Sequence, residues 1–260
     1  MKNFNVFYRV CDKVNGVNGI REVGQKKDVI KLCFMSLIAS AKYFIKQNGQ
    51  QLFSLNVVFD NTSDEMKQLM KNKLEEESIP YRFLFSSNGG NVDSFKTCYL
   101  AAKEVSGYIF FLEDDYLLDI NCLDEMYAFL NIWEDESHIC LKPHGETADY
   151  MRDLFGKDGK YFKREVLLSK GKYWARIMKS TCTFLIDDFI LKDVENLFEK
   201  TIVRSRLDET YLNQIFEKYP LFSPILPMAD HFHTNESLRP YFQGRKLSFG
   251  NFKYDAKKLT

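Results

Sequence analysis

An α/β fold with a mostly parallel central sheet flanked by helices follows from three features of this 260-residue chain. Strand-like and helix-like patterns alternate through its first half. The run Gly107-Tyr-Ile-Phe-Phe-Leu-Glu-Asp-Asp-Tyr116 is a short apolar strand that ends in three consecutive carboxylates. Polar residues also stand at the ends of the other strand-like segments. Alternation of this kind implies right-handed crossovers between parallel strands, with ligands bound outside the strands' carboxyl ends.

Phe4 to Val10 alternates and is β-branched like a strand, and Lys26 to Lys46 follows as a helix, with Ile30, Cys33, Leu37, Ala41 and Phe44 at helical spacing. Leu52 to Phe59 reads as the second strand, ending at Asp60-Asn61. Thr62-Ser-Asp-Glu65 then offers a cap and an acidic first turn for a helix over Glu65 to Glu77. Tyr81 to Phe85 is a third strand, Ser86 to Asn91 a glycine-containing turn, Ser94 to Val105 a helix, and Tyr108 to Leu112 the fourth strand. Arg9, Asp12, Asp60, Asn61, Asn88 and the triplet Glu113-Asp114-Asp115 all fall at carboxyl ends, so polar groups from four strands converge on one edge.

Leu123 to Trp133 reads as a further helix. Pro143 to Tyr173 is rich in Gly, Lys and Asp without sustained periodicity, which predicts a long loop or lid with a short helix near Ala148 to Leu154. Ser180 to Ile186 is a strand, Asp188 to Phe198 a helix, and Leu207 to Tyr219 a helix whose first turn carries Asp208 and Glu209. After Pro220 to Pro227 come Asp230-His-Phe-His233 and a basic, aromatic tail with Arg239, Arg245, Lys246, Lys253, Lys257 and Lys258. The economical division is one domain over 1–260, with 1–122 as one half and 123–260 as a second half and tail.

Lys and Arg number 36, as do Asp and Glu, so no global field attracts nucleic acid or an anionic membrane. The six cysteines, Cys11, Cys33, Cys98, Cys122, Cys140 and Cys182, lie in apolar contexts with no Cys-x-x-Cys pair. That pattern predicts reduced, buried thiols in a cytoplasmic protein. No segment approaches the ~20 apolar residues of a membrane span. The 23 Phe and 14 Tyr suit a large core and also a pocket that stacks flat rings.

Like charges at the exposed end of a buried strand repel unless a cation sits among them, so Glu113, Asp114 and Asp115 fit the grip of a protein on Mg²⁺ or Mn²⁺ beside a phosphate. A solvated acidic turn is the bland alternative. The order of the pieces resembles the GT-A fold glycosyltransferases, most closely the family 2-like members that use nucleotide-diphosphate sugars. The resemblance covers roughly Phe4 to Phe232 and implies a GT-A, Rossmann-like sheet with a C-terminal acceptor-side region. It implies that Arg9 opens the nucleotide pocket, that Asp60 contacts the base, and that the Asn88-Gly-Gly-Asn91 segment approaches the nucleotide. Glu113-Asp114-Asp115 stands where the family has Asp-x-Asp, with Asp115 holding the metal and Glu113 nearer the ribose; Asp114 lies between them in the nucleotide site. The first acid here is Glu rather than Asp.

The same resemblance implies transfer from a nucleotide-diphosphate sugar, with UDP the expected nucleotide, to a hydroxyl of a glycan or glycolipid acceptor, with inversion. Asp208-Glu209-Thr-Tyr-Leu212 resembles the family's Glu-Asp-x-x-Leu segment, which makes Glu209 the base and Asp208 its neighbour, the two acids being in swapped order. A helix N-terminal pair complementing the dipole is the structural alternative. His231 and His233 share a side if their segment is extended, and His231 resembles the late metal ligand of some GT-A enzymes. Trp174 stacks on an acceptor sugar or fills the core. Peripheral contact with the inner face of a membrane fits a glycolipid acceptor. Two rivals stay open: a sugar-1-phosphate nucleotidyltransferase, of whose Gly-rich loop Val14-Asn-Gly-Val-Asn-Gly-Ile-Arg21 is a loose echo, and a non-catalytic nucleotide-sugar-binding module.

Overall fold

A computed structural model describes residues 1–13, 25–133, 138–144, 165–180, 183–203 and 208–232, with the side chains of Asp208 and Glu209 outside that description. The first half alternates as its patterns require: β1 (Phe4–Val10), α1 (Lys26–Asn48), β2 (Phe53–Phe59), α2 (Asp64–Glu76), β3 (Tyr81–Phe85), α3 (Asn91–Ala102) and β4 (Tyr108–Glu113). The second half adds β5 (Tyr116–Leu118), α4 (Cys122–Trp133), β6 (Cys140–Leu141), β7 (Val166–Ser169), β8 (Lys172–Ile177) and β9 (Phe184–Asp187). It closes with α5 (Asp188–Asp193), α6 (Glu195–Thr201), α7 (Asp208–Lys218), β10 (Leu221–Pro224) and β11 (Ala229–His231).

Among the described residues a nine-stranded sheet runs in the order β3-β2-β1-β4-β9-β6-β10-β8-β7. β1 is flanked in parallel by β2 and β4, and only β8 and β9 run against the common direction. Strand alternation splits the core into two layers. Phe4, Val6, Tyr8, Tyr108, Phe110 and Leu112 pack with Ile30, Phe34 and Phe44 of α1 and with Met126 and Phe129 of α4. Phe7, Ile109 and Phe111 point the other way, onto Phe95 of α3, Phe198 of α6 and Phe216 of α7. At about 1.5–3 kcal/mol for each fully buried Phe or Leu, these two apolar faces hold β1 and β4 rigidly in the middle of the molecule. A strand clamped from both sides presents its last residues at a fixed place on the carboxyl edge.

Several boundaries differ from the sequence expectations. The helix expected over Ser94 to Val105 begins at Asn91 and ends at Ala102, because Gly90 supplies its start. The helix expected over Asp188 to Phe198 is two, since Val194 leaves the helical conformation at φ −111°, ψ 21°. The strand expected over Ser180 to Ile186 is Phe184–Asp187. The expected lid over Pro143 to Tyr173 is corrected at its end: β7 and β8 pair as an antiparallel hairpin on the sheet edge, turning at Lys170-Gly171 with φ of 45° and 80°. The short helix expected near Ala148 to Leu154 lies outside the described residues. Trp174 is fully buried, its ring 4.6 Å from that of Phe129, so it fills the core and is not an acceptor platform. Among the described residues no helix is long and apolar enough to cross a membrane.

Candidate functional site

The carboxyl edge of β1, β2 and β4 gathers most of the residues singled out in the sequence. Arg9 and Glu113 are register partners at the ends of β1 and β4. The Arg9 guanidinium donates to Glu113 Oε1 at 2.7 Å and to the Asn91 side-chain oxygen at 2.6 Å, and it lies 5.4 Å from the Phe95 ring centroid. Arg9 is buried, whereas the Glu113 side chain keeps 28% of its exposure. Burial pushes the Glu113 carboxyl up, against the opposing pull of Arg9.

Asp114 follows where β4 turns. Its Oδ2 accepts the Cys11 backbone N–H at 2.7 Å, and its Oδ1 pairs with the Lys26 ammonium. Both carboxylate oxygens thus tie β4 to the end of β1 and the start of α1, which gives Asp114 anchoring partners in place of a free face. The third acid differs. Asp115 Oδ1 is buried and has no hydrogen-bond partner among the described residues, and Oδ2 lies 3.6 Å from His231 Nε2. Burial alone would raise this carboxyl, but the neighbouring His231 and Lys26 outweigh it and bring it down to about 2. Asp115 therefore carries a full negative charge at neutral pH.

His231 reaches Asp115 because β11 pairs antiparallel with β5, with His231 opposite Tyr116 and the two rings stacked at 4.4 Å. The Phe232 N–H donates to the Asp115 carbonyl at 2.8 Å and locks that return strand against the triplet. The Asp115 and His231 side chains retain 13% and 12% exposure, so the strand end is more enclosed than the sequence reading expected. His233 lies outside the described residues.

This donor set suits a hard divalent cation on one test the structure provides. A buried carboxylate oxygen without a partner is costly, and a cation is the natural occupant of its lone pairs. Among the described residues no three His, Cys, Asp or Glu side chains converge into a cage. Mg²⁺-type sites need none, since one or two protein ligands are completed by water and substrate phosphates. Among the described residues, Arg9 and Lys26 beside the triplet are each paired with one of its carboxylates.

Asp60 closes the second wall. It follows β2, is buried, and its Oδ1 accepts the Gly90 N–H at 2.7 Å and the Ser86 hydroxyl at 3.4 Å. Asp60 thereby pins the turn that carries the exposed Asn88, whose own N–H is held by Asp93 at 2.8 Å. Gly89 needs its missing side chain: a Cβ there would stand 2.7 Å from Asn61 Nδ2, at a φ of 74°. Asp12 belongs to the scaffold, accepting from the Ser63 N–H and hydroxyl at the start of α2. Cys11 is no nucleophile, as burial pushes its thiol up to about 11.

Asp208 and Glu209 open α7, as the sequence reading has them, but their side chains lie outside the described residues. Two site residues escaped that reading. Asn91 stands there only as the last residue of the Asn88-Gly-Gly-Asn91 segment expected to approach the nucleotide, yet its side chain orients Arg9. Lys26 was read only as the start of a helix. A signal existed for it: a lysine in a first helical turn opposes the helix dipole, and such a position calls for an anionic partner.

The comparisons with known proteins agree on the architecture. S. aureus TarS 1–349, a GT-A-type glycosyltransferase, superposes with a TM-score of 0.55 at 15% identity, over 90% of this chain and 60% of that one. TarS 1–349 in complex with UDP-GlcNAc gives a TM-score of 0.52 at 14% identity, over 87% of this chain and 57% of that one. A candidate glucose-1-phosphate thymidylyltransferase from Bacillus anthracis, solved in complex with sucrose, gives 0.50 at 13% identity, over 90% of this chain and 91% of that one. This chain thus spans about 60% of the length of the TarS structure it matches. No protein-family model and no curated protein sequence matches it. The likeness establishes that the chain has the GT-A fold.

Proposed function

We propose that this chain is a glycosyltransferase that moves a sugar from a nucleoside-diphosphate donor, UDP-sugar foremost, to a hydroxyl of a glycan or glycolipid acceptor, with inversion. The observation that carries the reading is the division of the triplet: Glu113 and Asp114 are engaged by Arg9 and Lys26, while Asp115 keeps a buried oxygen that has no hydrogen bond among the described residues, beside His231. The complex of TarS with UDP-GlcNAc, on the same fold, supports the choice of donor class.

Asp115 and His231 would hold Mg²⁺ or Mn²⁺, which supplies charge neutralisation for the departing diphosphate without any proton transfer. Among the described residues Arg9 and Lys26 are already paired with carboxylates, so the cation would add positive charge that they do not offer to the diphosphate. Asp60 faces the uracil with its second carboxylate oxygen while its first keeps the Gly90 turn in place. Glu113, fixed by Arg9, receives the ribose hydroxyls. Residues 1–122 form the donor half and 123–260 the acceptor half.

In the transfer itself the bond from the anomeric carbon to the diphosphate oxygen breaks as the acceptor oxygen bonds to the opposite face of that carbon. The acceptor's hydroxyl proton passes to the Glu209 carboxylate, with Asp208 beside it at the N-terminal turn of α7. UDP leaves with the electron pair of the broken bond.

The likeness to the thymidylyltransferase candidate keeps one rival specific, sugar-1-phosphate nucleotidyl transfer, and the Val14 to Arg21 pattern relevant to it lies outside the described residues. One experiment separates the two. The protein is incubated with Mn²⁺ and UDP-, GDP- or TDP-sugars while nucleoside diphosphate release is followed, and in parallel with TTP or UTP and glucose 1-phosphate while pyrophosphate is followed. Diphosphate release from a UDP-sugar alone is the expected result; pyrophosphate release alone would hand the chain to the rival, and neither would leave a binding module.

A further inference from the structure

Asp114 sits between the two acids of the site, and its side chain is almost fully buried. Its Oδ2 takes the Cys11 N–H, one residue beyond β1, and its Oδ1 takes Lys26, the first residue of α1. Asp114 is thus the point at which β1, β4 and α1 are joined on the carboxyl edge. On one side of it, Glu113 is held by Arg9 and, through Arg9, by Asn91. On its other side, Asp115 has no such anchor on its Oδ1 among the described residues. The direction in which Asp115 presents that oxygen is therefore set by the backbone that Asp114 fixes on one side, together with His231 at Oδ2 and the Phe232 N–H at the carbonyl.

Lys26 pays a local penalty to be there, since a cation in the first turn of a helix opposes the dipole. Its pairing with Asp114 offsets that, and together with the Cys11 N–H it compensates the buried charge of Asp114. Side chains that orient a metal ligand without touching the metal commonly set its affinity.

We propose that Lys26, acting through Asp114, is a positioning residue that holds Asp115 in the geometry with which it binds a divalent cation. The inference rests on the metal-dependent donor binding proposed above. Lys26 touches neither metal nor nucleotide in this arrangement. Its loss therefore moves the metal requirement and not the intrinsic affinity for nucleotide.

The test uses the full chain and four forms of it: wild type, Lys26→Met, Lys26→Arg, and the double variant Lys26→Met with Asp114→Asn. The double variant removes the stranded buried charge, so it keeps the fold where Lys26→Met alone loses stability. UDP binding is titrated by calorimetry across a series of Mn²⁺ concentrations. For the double variant the Mn²⁺ concentration giving half-maximal UDP binding should rise about 10-fold, the low end of what outer contacts of a metal ligand contribute. UDP affinity at saturating Mn²⁺ should stay within about twofold of wild type. Lys26→Arg should behave as wild type. A midpoint unchanged in the double variant overturns the proposal, as does Lys26→Arg failing to restore it. Weakened UDP affinity at saturating Mn²⁺ overturns it too, since that result makes Lys26 a direct ligand of the diphosphate.

A second readout needs no ligand. The Phe232 amide bonds to the Asp115 carbonyl, so its hydrogen exchange reports whether the triplet's backbone is held. It should exchange several-fold faster in the double variant, with the amides of β1 between Phe4 and Tyr8 unchanged. If wild type binds UDP equally with and without Mn²⁺, the donor-site reading fails, and the Phe232 exchange alone then decides whether Lys26 positions Asp115.

Discussion

Asp60 carries two separable tasks on its two oxygens. Oδ1 accepts from Gly90 and Ser86, and Oδ2 makes no hydrogen bond among the described residues. Asp60→Ala frees the Gly90 N–H, which lies near solvent, so the loss in stability should be about 1 kcal/mol by urea denaturation. UDP affinity should fall with it. Asp60→Asn keeps an oxygen for Gly90 but turns the other atom into a donor, which matches the N3 acceptor of cytosine and not the N3–H of uracil. Competition binding should then show UDP losing its preference over CDP while the melting temperature holds; an unchanged preference would make Asp60 a scaffold residue only. Glu209→Gln tests the base. Donor binding should persist and turnover fall by roughly 10²- to 10⁴-fold, the usual contribution of a positioned base. The product's anomeric configuration by NMR should be opposite to the donor's, and near-normal turnover would pass the role to Asp208 or another acid.

At the scale of elements, β4 depends on how it is entered. Gly107 precedes it with φ 97°, and a Cβ there would stand 2.5 Å from the Asn3 carbonyl oxygen and 2.8 Å from the Asn3 nitrogen, both backbone atoms that cannot step aside. Gly107→Ala should destabilise the protein by at least about 1–3 kcal/mol, read as a lower urea midpoint at unchanged slope. A wild-type midpoint would mean that β1 and β4 are less tightly joined than their register implies. The first half of the chain was legible because its strands are buried on both faces and its helices are long: periodicity over Lys26–Asn48 or five apolar residues over Tyr108–Leu112 leave little ambiguity. The second half was not. β6 and β11 hold two and three residues, too few for any period, and β7 carries apolar residues on both faces, Val166 and Leu168 being half exposed while Leu167 packs on the core. In the site, Asp115 and Arg9 could be placed from their positions just after and at the carboxyl end of a strand, respectively. The Lys26–Asp114 and Asn91–Arg9 pairs could not, because each joins residues more than 80 apart in sequence through side-chain reach alone.

For the whole molecule, the architecture puts four residues of the proposed donor site on regular elements: Arg9 and Glu113 on adjacent parallel strands, Lys26 at the foot of a 23-residue helix, His231 on a short strand stapled to β5. Such a site needs little ordering when ligand arrives. A ligand that binds only the folded state adds RT ln(1 + [L]/Kd), so UDP at about 100 times its Kd should contribute about 2.7 kcal/mol and a rise of a few degrees in melting temperature. That rise should need Mn²⁺ or Mg²⁺ and should vanish on chelation.

The central claim, a nucleoside diphosphate held through a cation at Asp115, meets its most direct test in calorimetric titration of UDP into wild type and Asp115→Asn, each with Mn²⁺ and with chelator. Asp115→Asn should keep the fold, since it removes a charge without changing the side chain's shape. Wild type with Mn²⁺ should bind at least about tenfold more tightly than any of the other three combinations. Equal affinity with and without metal, or for the two proteins with metal present, would contradict the account.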